Sequence, residues 1–259
     1  MIEIKNVYKT FNHDKPVLNG VSLTIPEGDT VAVIGTSGCG KSTLLRAIIG
    51  LEPVTSGAIL IDGQDITRLN DKDRDELRKQ FGFVFQSSAL FDSLTVGDNI
   101  AFHLREHTKL PEWQIKRIVA EKLEMVGLPG IEDLMPAELS GGMQKRISLA
   151  RAIAHNPKVL LYDEPTTGLD PVRSTSIENL INKLNNELKV TSILVTHQLS
   201  TIFRCSQRIT MLNEGSIIEA GTPEETLKSK DPVIYNFING IEPGSDNQQQ
   251  ESATHCLNF

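Results

Sequence analysis

A glycine-rich segment near the N-terminus carries the most distinctive chemistry in the sequence. It follows the apolar run Val31-Ala32-Val33-Ile34 and leads into a stretch of helical periodicity, Lys41 to Ile49. Glycines let a loop approach a ligand closely, and free N–H groups at a helix N-terminus bind anions, so this context is typical of a phosphate-binding loop. We expect Lys41 to reach the β- and γ-phosphates and Ser42 to hold Mg²⁺. The candidate binding residues are Gly35, Thr36, Ser37, Gly38, Cys39, Gly40, Lys41, Ser42 and Thr43.

Two adjacent acids follow a second apolar run. Val159-Leu160-Leu161-Tyr162 predicts a buried strand, and Asp163 and Glu164 stand at its carboxyl end, where open α/β sheets bind ligands. Neighbouring strand residues point to opposite sides, so the two acids can have separate functions. We expect Asp163 to contact the Mg²⁺ shell and Glu164 to act as general base toward an attacking water. A solvated turn is the alternative for such a pair.

A serine followed by two glycines forms another candidate anion site, within Leu139-Ser140-Gly141-Gly142-Met143-Gln144. The serine hydroxyl and the bare amides begin a predicted helix, Ser140 to Ala154. An ordinary helix cap is the alternative. The segment resembles the signature sequence of ABC transporter ATPases. That resemblance implies that two chains pack head to tail, and that the signature of one closes over the nucleotide held by the other. Its binding residues would be Ser140, Gly141, Gly142 and Gln144.

Further motifs of this family occur in order along the chain. Gln86 matches a glutamine that senses Mg²⁺ and water, and His197 matches a switch histidine that orients the catalytic carboxylate. Asp170 matches a loop that signals across the dimer, and Phe11 matches an aromatic ring that stacks on adenine. The alternatives are a buried polar side chain for Gln86 and His197, a turn for Asp170 and core packing for Phe11.

The resemblance therefore implies an ATPase with ATP and Mg²⁺ as its cofactors. Its catalytic residues would be Glu164, His197 and Gln86, and its metal-site residues would be Ser42, Gln86 and Asp163.

The elements that must position these residues follow from the apolar pattern. The runs Ile2 to Val7 and Val17 to Ile25 are rich in β-branched residues and predict an N-terminal antiparallel portion. From about Thr95 to His155 the pattern is helical, which predicts an inserted helical subdomain. Buried strands that alternate with helices predict a mostly parallel core sheet, built from residues 31–34, 159–162 and 193–195. The expected fold class is α/β, and the resemblance implies a P-loop NTPase of the ABC ATPase type.

Charge and hydropathy narrow the class of protein. The chain has 259 residues, with 26 basic and 33 acidic side chains and a net charge of −7, which argues against a nucleic-acid partner. No apolar run approaches the roughly 18 residues that would span a bilayer, and the N-terminus lacks a secretory signal, so we expect cytoplasmic residence. The polar composition near the C-terminus predicts a tail, residues 241–259, after an ATPase domain of residues 1–240.

Segments outside the nucleotide motifs support a narrower resemblance. They look like the ATPase subunit of Mla-type, MCE-associated phospholipid transport systems of Gram-negative bacteria, in residues 85–91, 104–111, 134–139, 231–232 and 237–241. The resemblance implies phospholipid transport, peripheral attachment to the cytoplasmic face of the inner membrane, and partnership with a second copy of the chain and with integral membrane permease subunits. It adds an MCE lipid-binding subunit and a STAS-domain protein as further partners.

A run of apolar residues beside Gln86 is the expected docking surface for a permease helix. Its members are Phe85, Ala89, Leu90, Phe91 and Leu94, for which core packing is the alternative. Three other functions stay open for the whole chain. It could be the ABC ATPase of another importer or exporter, or that of a soluble assembly machine. It could also be a nucleotide-dependent clamp that binds without useful hydrolysis, which the presence of Glu164 and His197 disfavours.

Overall fold

The structure, a computed structural model, describes residues 1–11 and 15–241. A four-stranded antiparallel sheet is formed by β1 (Ile2–Lys9), β2 (Leu18–Ile25), β4 (Ser56–Ile61) and β5 (Gln64–Asp65). The N-terminal strand lies inside this sheet, in the order β2-β1-β4-β5. Ile4 lies opposite both Leu23 and Ile59, so apolar residues share one buried face. The predicted antiparallel portion is confirmed, and it also contains two strands, β4 and β5, that the sequence did not predict.

A six-stranded sheet forms the core. Its strands are β3 (Thr30–Ile34), β6 (Phe81–Val84), β7 (Val159–Asp163), β8 (Thr191–Val195), β9 (Arg208–Asn213) and β10 (Ser216–Gly221). They lie in the order β10-β9-β3-β8-β7-β6 and pair in parallel except for the antiparallel pair β9 and β10, which confirms the mostly parallel sheet. Strands β3 and β8 are buried along their whole length because layers cover both faces.

Helices cover this sheet, and three of them form the expected helical subdomain. Thr95 and Ser140 cap the first and last of the three through side-chain oxygens, which is why these helices begin where the sequence predicts. The subdomain consists of α3 (Val96–His107), α4 (Glu112–Met125) and α5 (Gly141–Ile153). The other helices are α1 (Lys41–Ile48), α2 (Asp71–Arg78), α6 (Pro171–Leu188), α7 (Leu199–Cys205), α8 (Pro223–Leu227) and α9 (Pro232–Asn239).

Strand β7 separates two large parts of the hydrophobic core. Leu160 and Tyr162 face the side that carries α5 and α6, whereas Val159 and Leu161 face α1 and the four-stranded sheet. This alternation is the two-residue period of a strand buried on both faces. The fully buried Tyr162 hydroxyl donates a hydrogen bond to Asn185 Oδ1 at 3.0 Å, so its polar atom is satisfied. The end of β7 is consequently held firmly on both sides.

The described chain ends with two short helices against the edge of the core sheet. Thr222 and Glu225 form a reciprocal capping box at the start of α8, and Ile234 and Ile238 of α9 pack into the core. The expected tail lies outside the described residues from position 242 onward. Among helices of residues 1–11 and 15–241, none has the length and apolar character needed to cross a membrane.

Candidate functional site

The loop between β3 and α1 is shaped by glycines in conformations that other residues rarely adopt. Gly40, the N-cap of α1, has φ = 108°, and Gly35 has φ = 148°. A Cβ on Gly35 would lie 2.3 Å from Leu212 O, so β9 packs directly against the loop backbone. The loop therefore keeps its N–H groups at the N-terminus of α1, which favours anions.

Lys41 spans this loop from the first turn of α1. Its Nζ donates hydrogen bonds to Gly35 O and Thr36 O, both at 2.8 Å, and the side chain is buried. The ammonium group thus lies within the glycine loop, where it can meet phosphate oxygens. Cys39 Sγ lies 3.8 Å from the same nitrogen, and its side chain packs against the core.

Asp163 and Ser42 meet at the carboxyl end of β7. Ser42 Oγ donates a hydrogen bond to Asp163 Oδ1 at 3.2 Å. Burial raises the pKa of Asp163, and the hydrogen bond from Ser42 opposes that shift. A hydroxyl and a carboxylate are the oxygen donors that Mg²⁺ takes from proteins beside substrate phosphates, and a cation here would favour the charged carboxylate. These residues therefore fit a magnesium ion.

Three side chains hold the carboxylate of Glu164. Its backbone adopts φ = 50°, and its N–H donates to Val195 O at 2.8 Å. Its Oε2 accepts hydrogen bonds from Thr196 Oγ1 at 2.9 Å and Thr167 Oγ1 at 3.1 Å. His197 Nδ1 lies 2.8 Å from Oε1. The carboxylate is thus fixed in one orientation at the edge of the cleft, as a general base requires.

Gln86 lies beyond the end of β6, on a segment connected to the helical subdomain. Its side chain is exposed and lines the cleft, while its backbone oxygen accepts a hydrogen bond from Lys145 Nζ of α5. Lys145 is buried, and burial lowers its pKa, an effect that the negative charge of Glu164 opposes. Sequence reasoning missed Lys145. The available signal was a charged residue at a position of α5 that faces the core.

One cleft of about 650 Å³ lies between the glycine loop, the carboxyl ends of β7 and β8, and the segment after β1. It brings together most of the predicted site and adds Val17, Val195 and Phe237, which sequence reasoning missed. All three are apolar residues far in sequence from the glycine loop, so no signal within that loop could have found them. The lining residues are Phe11, Val17, Gly35, Thr36, Ser37, Gly38, Gly40, Lys41, Ser42, Thr43, Gln86, Asp163, Glu164, Val195, His197 and Phe237.

The remaining predicted residues lie elsewhere on the same chain. Ser140 caps α5, with its Oγ accepting from Met143 N at 3.3 Å, and Asp170 caps α6 by accepting from Arg173 N at 2.9 Å. Gln144 Nε2 donates to Pro136 O at 3.0 Å. Among described residues, the cleft lining includes none of these, and it also lacks Cys39, Gly141 and Gly142.

A glycine loop at a helix N-terminus, beside acidic strand ends of a parallel sheet, defines a P-loop nucleotide-binding protein. Within that class, the profile described as ABC transporter matches residues 18–167. The chain belongs to the ABC transporter family and is an ATPase of the ABC type.

Similar proteins extend over nearly the whole chain. The intermembrane phospholipid transport system ATP-binding protein MlaF of Haemophilus influenzae is 43% identical over 94% of this chain and 92% of its own length. The probable ribonucleotide transport ATP-binding protein mkl of Mycobacterium leprae is 42% identical over 96% of this chain and 72% of its own. The dimeric ATP-binding cassette MJ0796, in a post-hydrolysis state bound to ADP and Pi, is 34% identical with a TM-score of 0.77, over 85% of this chain and 98% of that one. These likenesses confirm the resemblance to ABC ATPases, including the Mla-type subunit.

Proposed function

We propose that this chain is the ATP-hydrolysing subunit of a phospholipid transporter, in which two copies act on membrane permease subunits. The observation that carries the ATPase mechanism is the fixed carboxylate of Glu164 in the cleft, with His197 Nδ1 at 2.8 Å and two threonine hydroxyls on its other oxygen. The substrate class is supported by the similarity to MlaF.

In this proposal the glycine loop binds the triphosphate of ATP. Lys41 exchanges its bonds to loop carbonyls for bonds to the β- and γ-phosphates, and the backbone N–H groups bind the remaining oxygens. Ser42 and Asp163 hold Mg²⁺ together with Gln86, and the ion, when bound, neutralises charge on the phosphates. Phe11, which is 40% exposed at the cleft, stacks on adenine.

Glu164 accepts a proton from the attacking water, and the neighbouring side chains orient its carboxylate. The hydroxyls of Thr167 and Thr196 bind one carboxylate oxygen, which leaves the oxygen beside His197 for proton transfer. The His197 side chain is 57% exposed at the open side of the cleft, where it can contact the γ-phosphate. Gln86 aligns the attacking water. Its segment is linked to α5 by the hydrogen bond that Lys145 Nζ donates to Gln86 O.

A second copy of the chain completes the site. Ser140, Gly141 and Gly142 offer a helix N-terminus for an anion, yet they lie outside the cleft of their own chain. Head-to-tail packing lets this segment and Gln144 bind the triphosphate held by the partner, with Asp170 beside it. The dimeric state of the similar cassette MJ0796 supports this arrangement.

An aromatic patch beside Gln86 is the proposed permease-docking surface. Phe85, Phe91 and Phe102 are 39%, 43% and 42% exposed, and the rings of Phe91 and Phe102 lie 4.8 Å apart between centroids. Arg151 of α5 fixes this segment by donating to Ala89 O at 2.7 Å and Ser88 O at 2.8 Å. An apolar helix of a permease would bury the patch and transmit motion from the helical subdomain.

Leu90 and Leu94 of the expected docking set are half-buried, and Leu90 packs against the core, so they contribute less to this surface. Of the expected docking residues, Phe85, Ala89 and Phe91 are exposed, and we include the exposed Phe102 in the proposed surface. We propose that this surface holds the chain at the cytoplasmic face of the inner membrane. The MCE and STAS proteins implied by the resemblance would join the same assembly.

The proposal is tested by purifying the full chain with its native permease from detergent-solubilised membranes and reconstituting the complex in phospholipid vesicles. We expect ATP-dependent movement of a fluorescent phospholipid, and none with Glu164→Gln. ATPase stimulation by a ribonucleotide or an amino acid, without lipid movement, would instead assign the chain to another transporter. Recovery of the active ATPase only in a soluble assembly would contradict the membrane function. Phe91→Asp should reduce permease recovery, whereas Tyr8→Asp, at an aromatic residue of β1 that is 40% exposed and outside both the cleft and the patch, serves as the matched control.

A further inference from the structure

Lys9, at the end of β1, is a buried charged residue next to the nucleotide cleft. Its side chain is only 9% exposed, and its Nζ lies 2.5 Å from Glu52 Oε1. The same nitrogen donates a hydrogen bond to Pro53 O at 2.7 Å. Buried lysines need such partners because removing the charge from water is costly. Nothing in the phosphate chemistry described above uses this group.

The ammonium group of Lys9 also lies against an aromatic ring of the cleft. Lys9 Nζ is 4.5 Å from the ring centroid of Phe11, which is within the range of a cation–π contact. Phe11 lines the cleft together with Val17, whose N–H donates to Lys9 O at 2.7 Å. One face of the ring is therefore covered by a fixed cation, and the ring remains open toward the cleft.

The partners of Lys9 connect this ring to the phosphate loop. Glu52 and Pro53 follow the C-terminal end of α1, and Glu52 N donates to Arg46 O in that helix at 3.2 Å. Helix α1 begins at the phosphate loop. The segment after its other end, Glu52 and Pro53, binds Lys9, and Lys9 in turn contacts the ring of Phe11. Both ends of a nucleotide would be positioned from one helix.

We infer that Lys9 is a positioning residue for nucleotide binding, which holds the ring of Phe11 in the orientation that stacks on the base. This inference rests on the proposed adenine contact of Phe11. A ring that is fixed before binding loses less conformational freedom when the base arrives, so the effect of Lys9 is confined to ligands that carry a base.

The test compares binding of Mg–ATP and of Mg–tripolyphosphate, which lacks a base, to the purified full chain by titration calorimetry. Lys9→Met is made together with Glu52→Gln, so that no unpaired carboxylate remains. We expect ATP affinity to fall about threefold to tenfold, the range of a cation–π contact. Affinity for tripolyphosphate should not change, and Lys9→Arg should restore most of the ATP affinity.

Two further variants separate the possible failures. Phe11→Ala should weaken ATP binding on the order of tenfold, as loss of one aromatic–base stack does. Lys5→Met, on the same strand with an exposed ion pair to Glu3, should change neither affinity. Equal losses for both ligands would assign Lys9 a merely structural role and overturn the inference. So would unchanged ATP affinity in the Lys9 variant when Phe11→Ala weakens it. If Phe11→Ala has no effect, the proposed adenine contact fails and the inference fails with it.

Discussion

Replacing Glu164 by glutamine removes one proton acceptor while keeping the shape of the side chain. The carbonyl oxygen of Gln can still accept the hydrogen bonds from Thr167 and Thr196, and its amide can face His197. The fold and the cleft should therefore persist. General-base catalysis contributes about 10²- to 10⁴-fold, so we expect turnover to fall by that factor, which raises the barrier by about 3 to 5 kcal/mol.

ATP affinity should stay close to that of the original chain, because the phosphate contacts of Lys41 and the glycine loop are unchanged. The assay is steady-state phosphate release at saturating Mg–ATP, with ATP affinity measured separately by calorimetry. Glu214→Gln is a matched control, since Glu214 also has a positive φ, 46° against 50° for Glu164, and lies outside the cleft. Normal turnover in Glu164→Gln would refute its assignment as the base.

Three other substitutions test separate parts of the account. Lys41→Ala should weaken ATP binding by calorimetry about tenfold or more, because a charged hydrogen-bond donor is lost; unchanged affinity would count against the loop assignment. Gly82→Ala should lower the free energy of unfolding by about 1–3 kcal/mol in urea titrations, since its Cβ would lie 2.2 Å from Ala152 O; full stability would refute that packing. Burial lowers the pKa of His103 to about 4, so stability should decline as pH falls from about 6.5 toward 4, as the unfolded chain takes up the proton first. His103→Gln should reduce this decline in acid unfolding curves, and an identical pH dependence would contradict it.

Local signals in the sequence predicted much of the site. The apolar run before Gly35 and the helical pattern after Lys41 fix the strand, loop and helix without help from distant residues. The cap residues Thr95 and Ser140 likewise mark where α3 and α5 begin. Where an element depends on one segment alone, residue types and spacing are sufficient to predict its position in the sequence.

Contacts between distant segments could not be predicted in this way. The pairing of β1 with β4 and the position of Phe237 at the cleft depend on how the chain folds back, and no short-range pattern encodes either. The same holds for Lys9 and Glu52, whose contact joins the end of β1 to the loop after α1. These residues acquire their surroundings only from tertiary packing.

The central claim is that two chains share each ATP, and sedimentation velocity of the Glu164→Gln chain tests it most directly. With Mg–ATP the chain should sediment as a dimer, and without nucleotide as a monomer. Adding Ser140→Arg should abolish the dimer while ATP affinity is retained, because Ser140 lies outside the cleft of its own chain. Monomers alone at saturating ATP would contradict the claim.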